Sequence, residues 1–210
     1  MDYRNADGSI AEMCGNGIRV MARYLVQRGH QSEGIFAINT RDGIKHLRVP
    51  TTDDISVNMG KVLDENEEIT ASVEGKIWNG YNINVGNPHA VVFVEKIEDV
   101  GSLEVAPIVR PKDSYPEGVN VEFVEILPGQ EAKMRVHERG SGETKSCGTG
   151  TCAVALAATL HSKQALPSRW VIYPPGGRLV VDIDPHSNAT LTGPALLISD
   201  HDIARYLQEV

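Results

Sequence analysis

Two cysteine-glycine quartets hold the residues best suited to chemistry in this chain of 210 residues. They are Cys14-Gly15-Asn16-Gly17 and Cys147-Gly148-Thr149-Gly150, and each leads directly into an apolar run with helical spacing. The glycines permit a tight turn with exposed amides, and the N-terminus of the helix that follows is partly positive. A thiol there ionises more easily, and a carboxylate there meets unpaired N–H groups. The two quartets therefore predict a paired acid and base that act on a molecule with a carboxylate.

Other uses of these cysteines fit less well. A buried structural thiol is the commonest fate of a lone cysteine, and we expect it for Cys152 inside the second apolar run. A redox pair is disfavoured because the sequence has no Cys-x-x-Cys, and Cys14 and Cys147 lie far apart. A metal site is weaker still, because no histidine or cysteine spacing resembles a zinc site.

Two thiols that face each other across a small cavity can invert a stereocentre. One, as thiolate, removes a proton from carbon, and the other, as thiol, returns a proton from the opposite face. The carbanion that develops beside a carboxylate needs electrostatic support, which two helix N-termini provide. No short pyridoxal-phosphate motif is evident in the sequence. We therefore expect a racemase or epimerase that uses no cofactor.

The elements that position these quartets follow from periodicity and turn signals. Apolar residues at Ile18, Met21, Ala22 and Leu25 predict a helix over 18–28 that ends at Gly29, and Thr151–Ser162 predicts a deeply buried helix. A shorter helix is expected over Glu95–Leu103, and hairpin turns at Asp42-Gly43 and Pro128-Gly129. Strands are expected at Ile35–Asn39, Ile44–Val49, Ile55–Met59, Ile77–Val85, Ala90–Val94, Val119–Leu127, Ala132–Glu138, Arg169–Tyr173, Arg178–Ile183 and Ala189–Ile198. Many strands with two principal helices indicate an α+β fold.

Composition and charge exclude several classes of protein. A composition of 41% apolar and 23% charged residues is that of an ordinary globular protein. The net charge of −8 argues against nucleic-acid binding. No run approaches the roughly 20 apolar residues of a membrane span, and no signal peptide leads the chain. Three cysteines do not form a disulfide framework, so we expect a reducing, cytoplasmic setting.

The repeated quartet also predicts an internal duplication. Residues 1–85 and 86–210 are the expected halves, each with its own cysteine and helix. The second half has a long stretch of strands ahead of Cys147, whereas only a short segment precedes Cys14. We therefore expect two similar lobes, of which the first lacks its N-terminal strands.

Four motifs in this order resemble the diaminopimelate epimerase family, from residue 3 to the C-terminus. The motifs are Asn5-Ala6-Asp7-Gly8-Ser9 with Met13-Cys14-Gly15-Asn16-Gly17, Gly86-Asn87-Pro88-His89, Glu138-Arg139-Gly140-Ser141-Gly142-Glu143-Thr144, and Cys147-Gly148-Thr149-Gly150. The resemblance implies a homodimer of duplicated α/β lobes with the active site in the cleft between them. It also implies interconversion of LL- and meso-diaminopimelate without a cofactor or metal, in the route to lysine and peptidoglycan.

The resemblance assigns roles to individual residues. It implies that Cys14 and Cys147 are the catalytic pair, and that Gly15, Asn16, Gly148 and Thr149 hold the reacting carboxylate. It implies that Asn5, Asn87, Asn120 and Arg139 bind the distal amino-acid end, with Glu138 at the substrate site, and that Glu138 and His89 tune the cysteines. Taken without the motifs, the asparagines fit turns or a strand start, and Arg139 fits an ordinary surface charge.

Two alternatives stay open beside this assignment. Members of the family begin with further strands that contribute an Asn and a Gln to the site, and these are absent here, so the chain is either an active epimerase or a catalytically impaired fragment. A related amino-acid racemase on the same frame is the other alternative. Proline racemase-like enzymes typically carry a His where Asn16 stands, and phenazine-biosynthesis isomerases lack the cysteine pair. Cys14 and Cys147, if they share a substrate, are also expected to form an inactivating disulfide under oxidation.

Overall fold

The computed structural model describes residues 1–4, 8, 10–11 and 13–198. Its helices are α1 (Gly15–Gln27) and α2 (Gly148–His161). The strands are β1 (Tyr3–Arg4), β2 (Ile10–Ala11), β3 (Gly34–Thr40), β4 (Gly43–Val49), β5 (Ile55–Lys61), β6 (Leu63–Val73), β7 (Lys76–Asn84), β8 (Pro88–Phe93), β9 (Ile108–Arg110), β10 (Asn120–Leu127), β11 (Glu131–Glu138), β12 (Gly142–Thr144), β13 (Ser168–Tyr173), β14 (Leu179–Ile183) and β15 (Asn188–Gly193). The predicted α+β class is confirmed.

Thirteen of the described strands form one sheet. Its order is β3-β4-β5-β15-β14-β13-β11-β10-β8-β7-β6-β9, with β12 beside β11, while β1 and β2 form a separate antiparallel pair. Neighbouring strands are antiparallel except for the β8–β10 and β11–β13 pairs, which are parallel. Strands distant in sequence therefore meet, because β15 pairs with β5.

Helix α1 packs one face against β4 and β5. Ile18 and Ala22 are fully buried on this face, as the apolar periodicity predicts. Two arginines, Arg19 and Arg23, are also buried there. The helix begins at Gly15, three residues before the predicted start, because the quartet itself forms the first turn.

Helix α2 is enclosed by the sheet, as its apolar composition predicts. Every residue from Gly150 to Thr159 is buried, and the helix packs against β7, β8, β10, β13 and β14. Cys152 is fully buried within this core, in agreement with the expected structural role. A second apolar cluster includes Phe123 and Trp78, whose rings meet edge to face at 5.5 Å.

Several secondary-structure elements differ from those predicted. The predicted helix over Glu95–Leu103 is wrong, because only Ile97–Val100 forms a single 3-10 turn, which ends at Gly101 with φ +85°. The predicted strand Ala189–Ile198 ends early, since β15 stops at Gly193. Strand β6 was not predicted, because charged residues cover most of its first half.

The proposed division at residue 85 falls between two paired strands. β7 lies before it and β8 after it, and the two are antiparallel neighbours. The division into 1–85 and 86–210 therefore stays a prediction. No helix in the described part of the chain is long and apolar enough to cross a membrane.

Candidate active site

The structure places both quartet cysteines at helix N-termini. Cys14 is the N-cap of α1, and its Sγ accepts a hydrogen bond from the Gly17 amide at 3.3 Å. Cys147 is the N-cap of α2, and its Sγ accepts from the Gly150 amide at 3.4 Å. Each sulfur therefore lies beside an amide donor at the positive end of a helix dipole.

The two helix N-termini lie directly against each other. A Cβ atom placed on Gly148 would lie only 2.9 Å from the Cα atom of Gly15, so Gly148 requires glycine, and a Cβ atom on Gly15 would lie a tight 3.2 Å from the Gly148 Cα atom. Asn16 strengthens this junction, because its Nδ2 donates to the carbonyl oxygen of Ser146 at 2.9 Å. The positive ends of both helices therefore converge on one place, which suits the binding of a carboxylate.

Arg19 stabilises the first turn of α1 through two hydrogen bonds. Its guanidinium donates to the Gly15 carbonyl and to the Asn16 side-chain oxygen, both at 3.0 Å. The side chain is buried, and burial lowers the pKa of Arg19. Sequence analysis assigned no role to Arg19, although its position on the apolar face of the helix was the available signal.

Cys147 lies in a buried and partly acidic setting. Only 6% of the residue is exposed, and the Thr149 hydroxyl lies 3.5 Å from its Sγ. Burial raises the pKa of the Cys147 thiol well above its ordinary value, and the charges of Glu138 and Glu122 raise it further. The hydrogen bonds from Thr149 and Gly150 act in the opposite direction. Burial and the nearby acidic groups therefore oppose ionisation of Cys147.

Tyr3 lies beside Cys14, and Cys14 is half-buried. The Tyr3 phenol is hydrogen-bonded to the Cys14 side chain. The charge of Cys14, followed by that hydrogen bond and by burial, raises the pKa of Tyr3 to about 12. A phenol with such a pKa stays protonated at neutral pH and acts as a donor to sulfur. Sequence reasoning missed Tyr3, and no motif in the sequence singled it out.

A line of polar side chains runs inward from Thr149. The Asn87 Nδ2 lies 3.4 Å from the Thr149 hydroxyl, and its Oδ1 lies 3.0 Å from His89 Nε2. His89 Nδ1 lies 2.7 Å from an oxygen of Glu122. His89 and Glu122 are fully buried, and burial raises the pKa of the Glu122 carboxyl. Sequence analysis did not predict a role for Glu122, because a carboxylate within a strand is normally expected to face solvent.

The residues expected at the distal end lie where β11 ends. The Arg139 amide donates to Asn120 Oδ1 at 2.9 Å, and Asn120 Nδ2 donates to the Pro88 carbonyl at 3.2 Å. The Arg139 guanidinium is partly exposed, with Nη1 4.0 Å from a Glu117 oxygen. Glu138 accepts a hydrogen bond from the Thr144 hydroxyl. Asn5 lies outside the described residues.

Two further expectations concern a disulfide between the site cysteines and a bound metal ion. Cys14, Cys147 and Cys152 are all free thiols, so the disulfide between Cys14 and Cys147 stays a prediction for oxidising conditions. Among residues 1–4, 8, 10–11 and 13–198, no group of three or more histidine, cysteine or acidic side chains is placed to hold a metal ion.

Known proteins similar in sequence support a single family. The family profile described as "Diaminopimelate epimerase" matches residues 1–63 and 81–198. A diaminopimelate epimerase of Streptomyces coelicolor is 45% identical over 205 residues, which cover 95% of this chain and 71% of that protein. One from Mycolicibacterium gilvum is 42% identical over 211 residues, covering 97% of this chain and 72% of that protein.

Solved structures share the fold at low sequence identity. A hydroxyproline epimerase from Agrobacterium vitis superposes with a TM-score of 0.70 at 15% identity, covering 93% of this chain and 68% of that one. A PhzF-family phenazine biosynthesis protein from Bacillus anthracis gives a TM-score of 0.72 at 16% identity, covering 91% and 76%. The fold, the family profile and the sequence relatives agree, and the chain belongs to the diaminopimelate epimerase family of isomerases.

Proposed function

We propose that this chain converts LL-2,6-diaminopimelate to meso-diaminopimelate without a cofactor, with Cys14 and Cys147 as its acid and base. The observation that supports this most is the junction of Gly15 and Gly148, which brings two cysteine-capped helix N-termini together. An amino acid whose carboxylate lies at this junction has a thiol available on either side of its α-carbon.

The chemistry is a pair of proton transfers at the α-carbon, one on each face. One cysteine, as thiolate, takes the α-proton, and the electron pair of the broken C–H bond stays on carbon. The other cysteine, as thiol, donates its proton to the opposite face, which forms a new C–H bond and inverts the centre. The two sulfurs end with exchanged protonation states, so the reverse reaction starts from the product state.

The helix ends supply the stabilisation that this step needs. As the α-carbon loses its proton, negative charge spreads onto the attached carboxylate. The first amides of α1 and α2, around Gly15, Asn16, Gly148 and Thr149, have no partner within their helices and point towards this charge. Arg19 fixes the first turn of α1 through the Gly15 carbonyl, so these donors are already oriented before the reaction.

The distal end of the substrate is assigned to Asn87, Asn120 and Arg139, with Asn5 as a further ligand. Arg139 is partly exposed and its guanidinium lies beside Glu117, so it is free to turn towards a second carboxylate. Asn120 already bonds the Arg139 amide and thereby fixes the base of this side chain. A second carboxylate distinguishes diaminopimelate from amino acids with one reactive end.

The remaining assignments follow from this reaction. The pathway is lysine and peptidoglycan synthesis, the setting is the cytoplasm, and the enzyme acts as a homodimer. Glu138 and His89 tune the thiols, since Glu138 raises the pKa of Cys147 and His89 belongs to the polar line that reaches Thr149.

The decisive experiment is α-proton exchange of LL-diaminopimelate in D₂O, with stereochemical analysis of the product. The unmodified chain should incorporate deuterium and form the meso isomer. C14A and C147A should each lose on the order of 10³-fold or more in this rate, because each removes one of two obligatory proton carriers. L-lysine, which lacks the second carboxylate, should exchange at least about tenfold more slowly because Arg139 has nothing to bind.

The possible outcomes separate the alternatives. A folded chain that exchanges no amino acid would identify an impaired member of the family. Equal exchange of diaminopimelate and L-lysine would indicate a broader amino-acid racemase. Exchange that survives in either cysteine variant would overturn the two-thiol mechanism.

A further inference from the structure

We propose that Glu122 is a positioning residue for Cys147, which acts through His89 and Asn87 to hold the Thr149 hydroxyl as a hydrogen-bond donor to the Cys147 sulfur. Because it treats Cys147 as an acid–base group, this inference rests on the proposed function. It adds a strand carboxyl that touches neither the substrate nor the thiol.

The contacts form one unbroken line. Glu122 Oε1 lies 2.7 Å from His89 Nδ1, and His89 Nε2 lies 3.0 Å from Asn87 Oδ1. Asn87 Nδ2 lies 3.4 Å from the Thr149 hydroxyl. That hydroxyl lies 3.5 Å from Cys147 Sγ.

The direction of each hydrogen bond follows from the chemistry of the groups. Asn87 donates through its amide nitrogen to Thr149, so its Oδ1 is an acceptor and His89 Nε2 must hold a proton. The Thr149 oxygen accepts from Asn87, which leaves its own hydrogen for Cys147 Sγ. Every donor in the line therefore points towards the sulfur, and this orientation favours the thiolate.

Glu122 completes the line at its buried end. One proton lies between Glu122 and His89 Nδ1, whether as carboxyl with neutral imidazole or as carboxylate with imidazolium, and either pair has no net charge. Burial raises the pKa of the Glu122 carboxyl, which favours the neutral pair. Without Glu122, the fully buried imidazole loses a partner and its ring is no longer fixed.

The packing around Glu122 shows that space is reserved for it. A Cβ atom on Gly150 would lie 2.5 Å from Glu122 Oε1, so the carboxyl occupies the place of a side chain in the first turn of α2. Its other oxygen, Oε2, has no hydrogen-bond partner among the described residues. Such an unsatisfied buried carboxyl carries a cost in stability, and a role beyond stability accounts for its presence.

Several groups outside α2 bear on the charge at Cys147, and one is Tyr3 of β1, whose pKa the charge of Cys147 raises. Glu138 approaches from β11 and Glu122 from β10, and His89 on β8 is paired with Glu122. A Glu122 carboxylate by itself raises the pKa of Cys147, and an imidazolium at His89 offsets that charge. Replacement of Glu122 by a neutral residue therefore changes hydrogen bonding with little change in the net charge of the pair. E122L and E122Q both meet this condition, and only Gln retains a donor for His89 Nδ1.

The test is the pH dependence of iodoacetamide alkylation at Cys147, followed by mass spectrometry of its peptide, with Cys14 as the internal control. E122L should slow alkylation of Cys147 about fivefold or more at pH 8, because its thiolate has lost a donor. E122Q should stay within about twofold of the unmodified chain, and Cys14 should not change in either variant. No diaminopimelate is needed, so this result is independent of whether the chain turns over that substrate.

Three results would overturn the proposal: an unchanged Cys147 alkylation profile in E122L, slowing as large in E122Q as in E122L, or equal slowing at both cysteines.

A second measurement, on the unmodified chain, tests the proposal even if E122L does not fold. With ¹⁵N-labelled histidine, and H89Q to assign the signal, His89 Nε2 should be protonated from pH 6 to 9. An unprotonated Nε2 in that range would also overturn the proposal.

Discussion

Gly148 and Gly15 face each other so closely that a methyl group on Gly148 would lie 2.9 Å from the Gly15 Cα atom. The obstacle is backbone, which cannot rotate away as the end of a side chain can. The alignment of the two helix N-termini therefore depends on the absence of a side chain at Gly148.

G148A should separate the two helix ends and lower the α-proton exchange rate on the order of 10²-fold, the usual effect of misplacing reacting groups by about 1 Å. V20A is the control, because Val20 lies on the exposed side of α1, away from both cysteines. It should retain the rate within about threefold. Equal rates for the two variants would contradict the prediction.

Glu138 should set the pH at which Cys147 reacts. Its negative charge raises the pKa of the Cys147 thiol, so E138Q should lower that pKa and allow thiolate to form at lower pH. The measurement is Cys147 alkylation against pH. E143Q is the control, because Glu143 pairs with Arg135 and is not among the groups that raise the pKa of Cys147. A pH profile that is the same in E138Q and E143Q would refute the assignment.

Tyr3 should support the thiolate of Cys14. The phenol, with a pKa of about 12, stays protonated and donates to the sulfur. Y3F removes this donor, so alkylation of Cys14 at pH 8 should slow about threefold or more while Cys147 is unchanged. Y24F, on the exposed side of α1, should leave both cysteines as they are. Faster Cys14 alkylation in Y3F would show that the phenol shields the sulfur instead.

Arg23 should contribute strongly to stability. Its guanidinium donates to four backbone carbonyls, those of Pro50, Thr51, Asp53 and Ala195. R23M leaves these acceptors unpaired and should lower the free energy of unfolding by about 3 kcal/mol, measured by urea with the emission of buried Trp170. R28M, at an exposed position of the same helix, should change it by no more than about 0.5 kcal/mol. A difference between the two variants within error would contradict this role.

Local signals in the sequence predicted both helices and both thiol positions. The Cys-Gly-x-Gly pattern determines a cap and a first turn within four residues, so no distant contact is needed. The hairpin that β10 and β11 form around Pro128-Gly129 is likewise a local feature. Even the all-round apolar composition of α2 correctly indicated its enclosure.

Features that depend on distant strands were not predictable. Glu122 meets His89 only because β10 pairs in parallel with β8, and nothing in either segment indicates that pairing. Strand β6 was not predicted because charged residues fill most of its first half, and only its pairing with β7 identifies it as a strand. The helix expected over 95–103 fails because Gly101 ends the turn and the Glu125 side chain bonds the Ile97 amide.

The pairing of β15 with β5 has a consequence for folding during synthesis. A ribosome releases β5 long before β15, so the edge of β5 that β15 covers stays open through most of translation. Leu191 of β15, which packs near Gly15 at the start of α1, also arrives last. The junction of the two cysteine-capped helices can therefore close only after β15 has emerged, and until then the open edge of β5 is exposed to pairing with other chains.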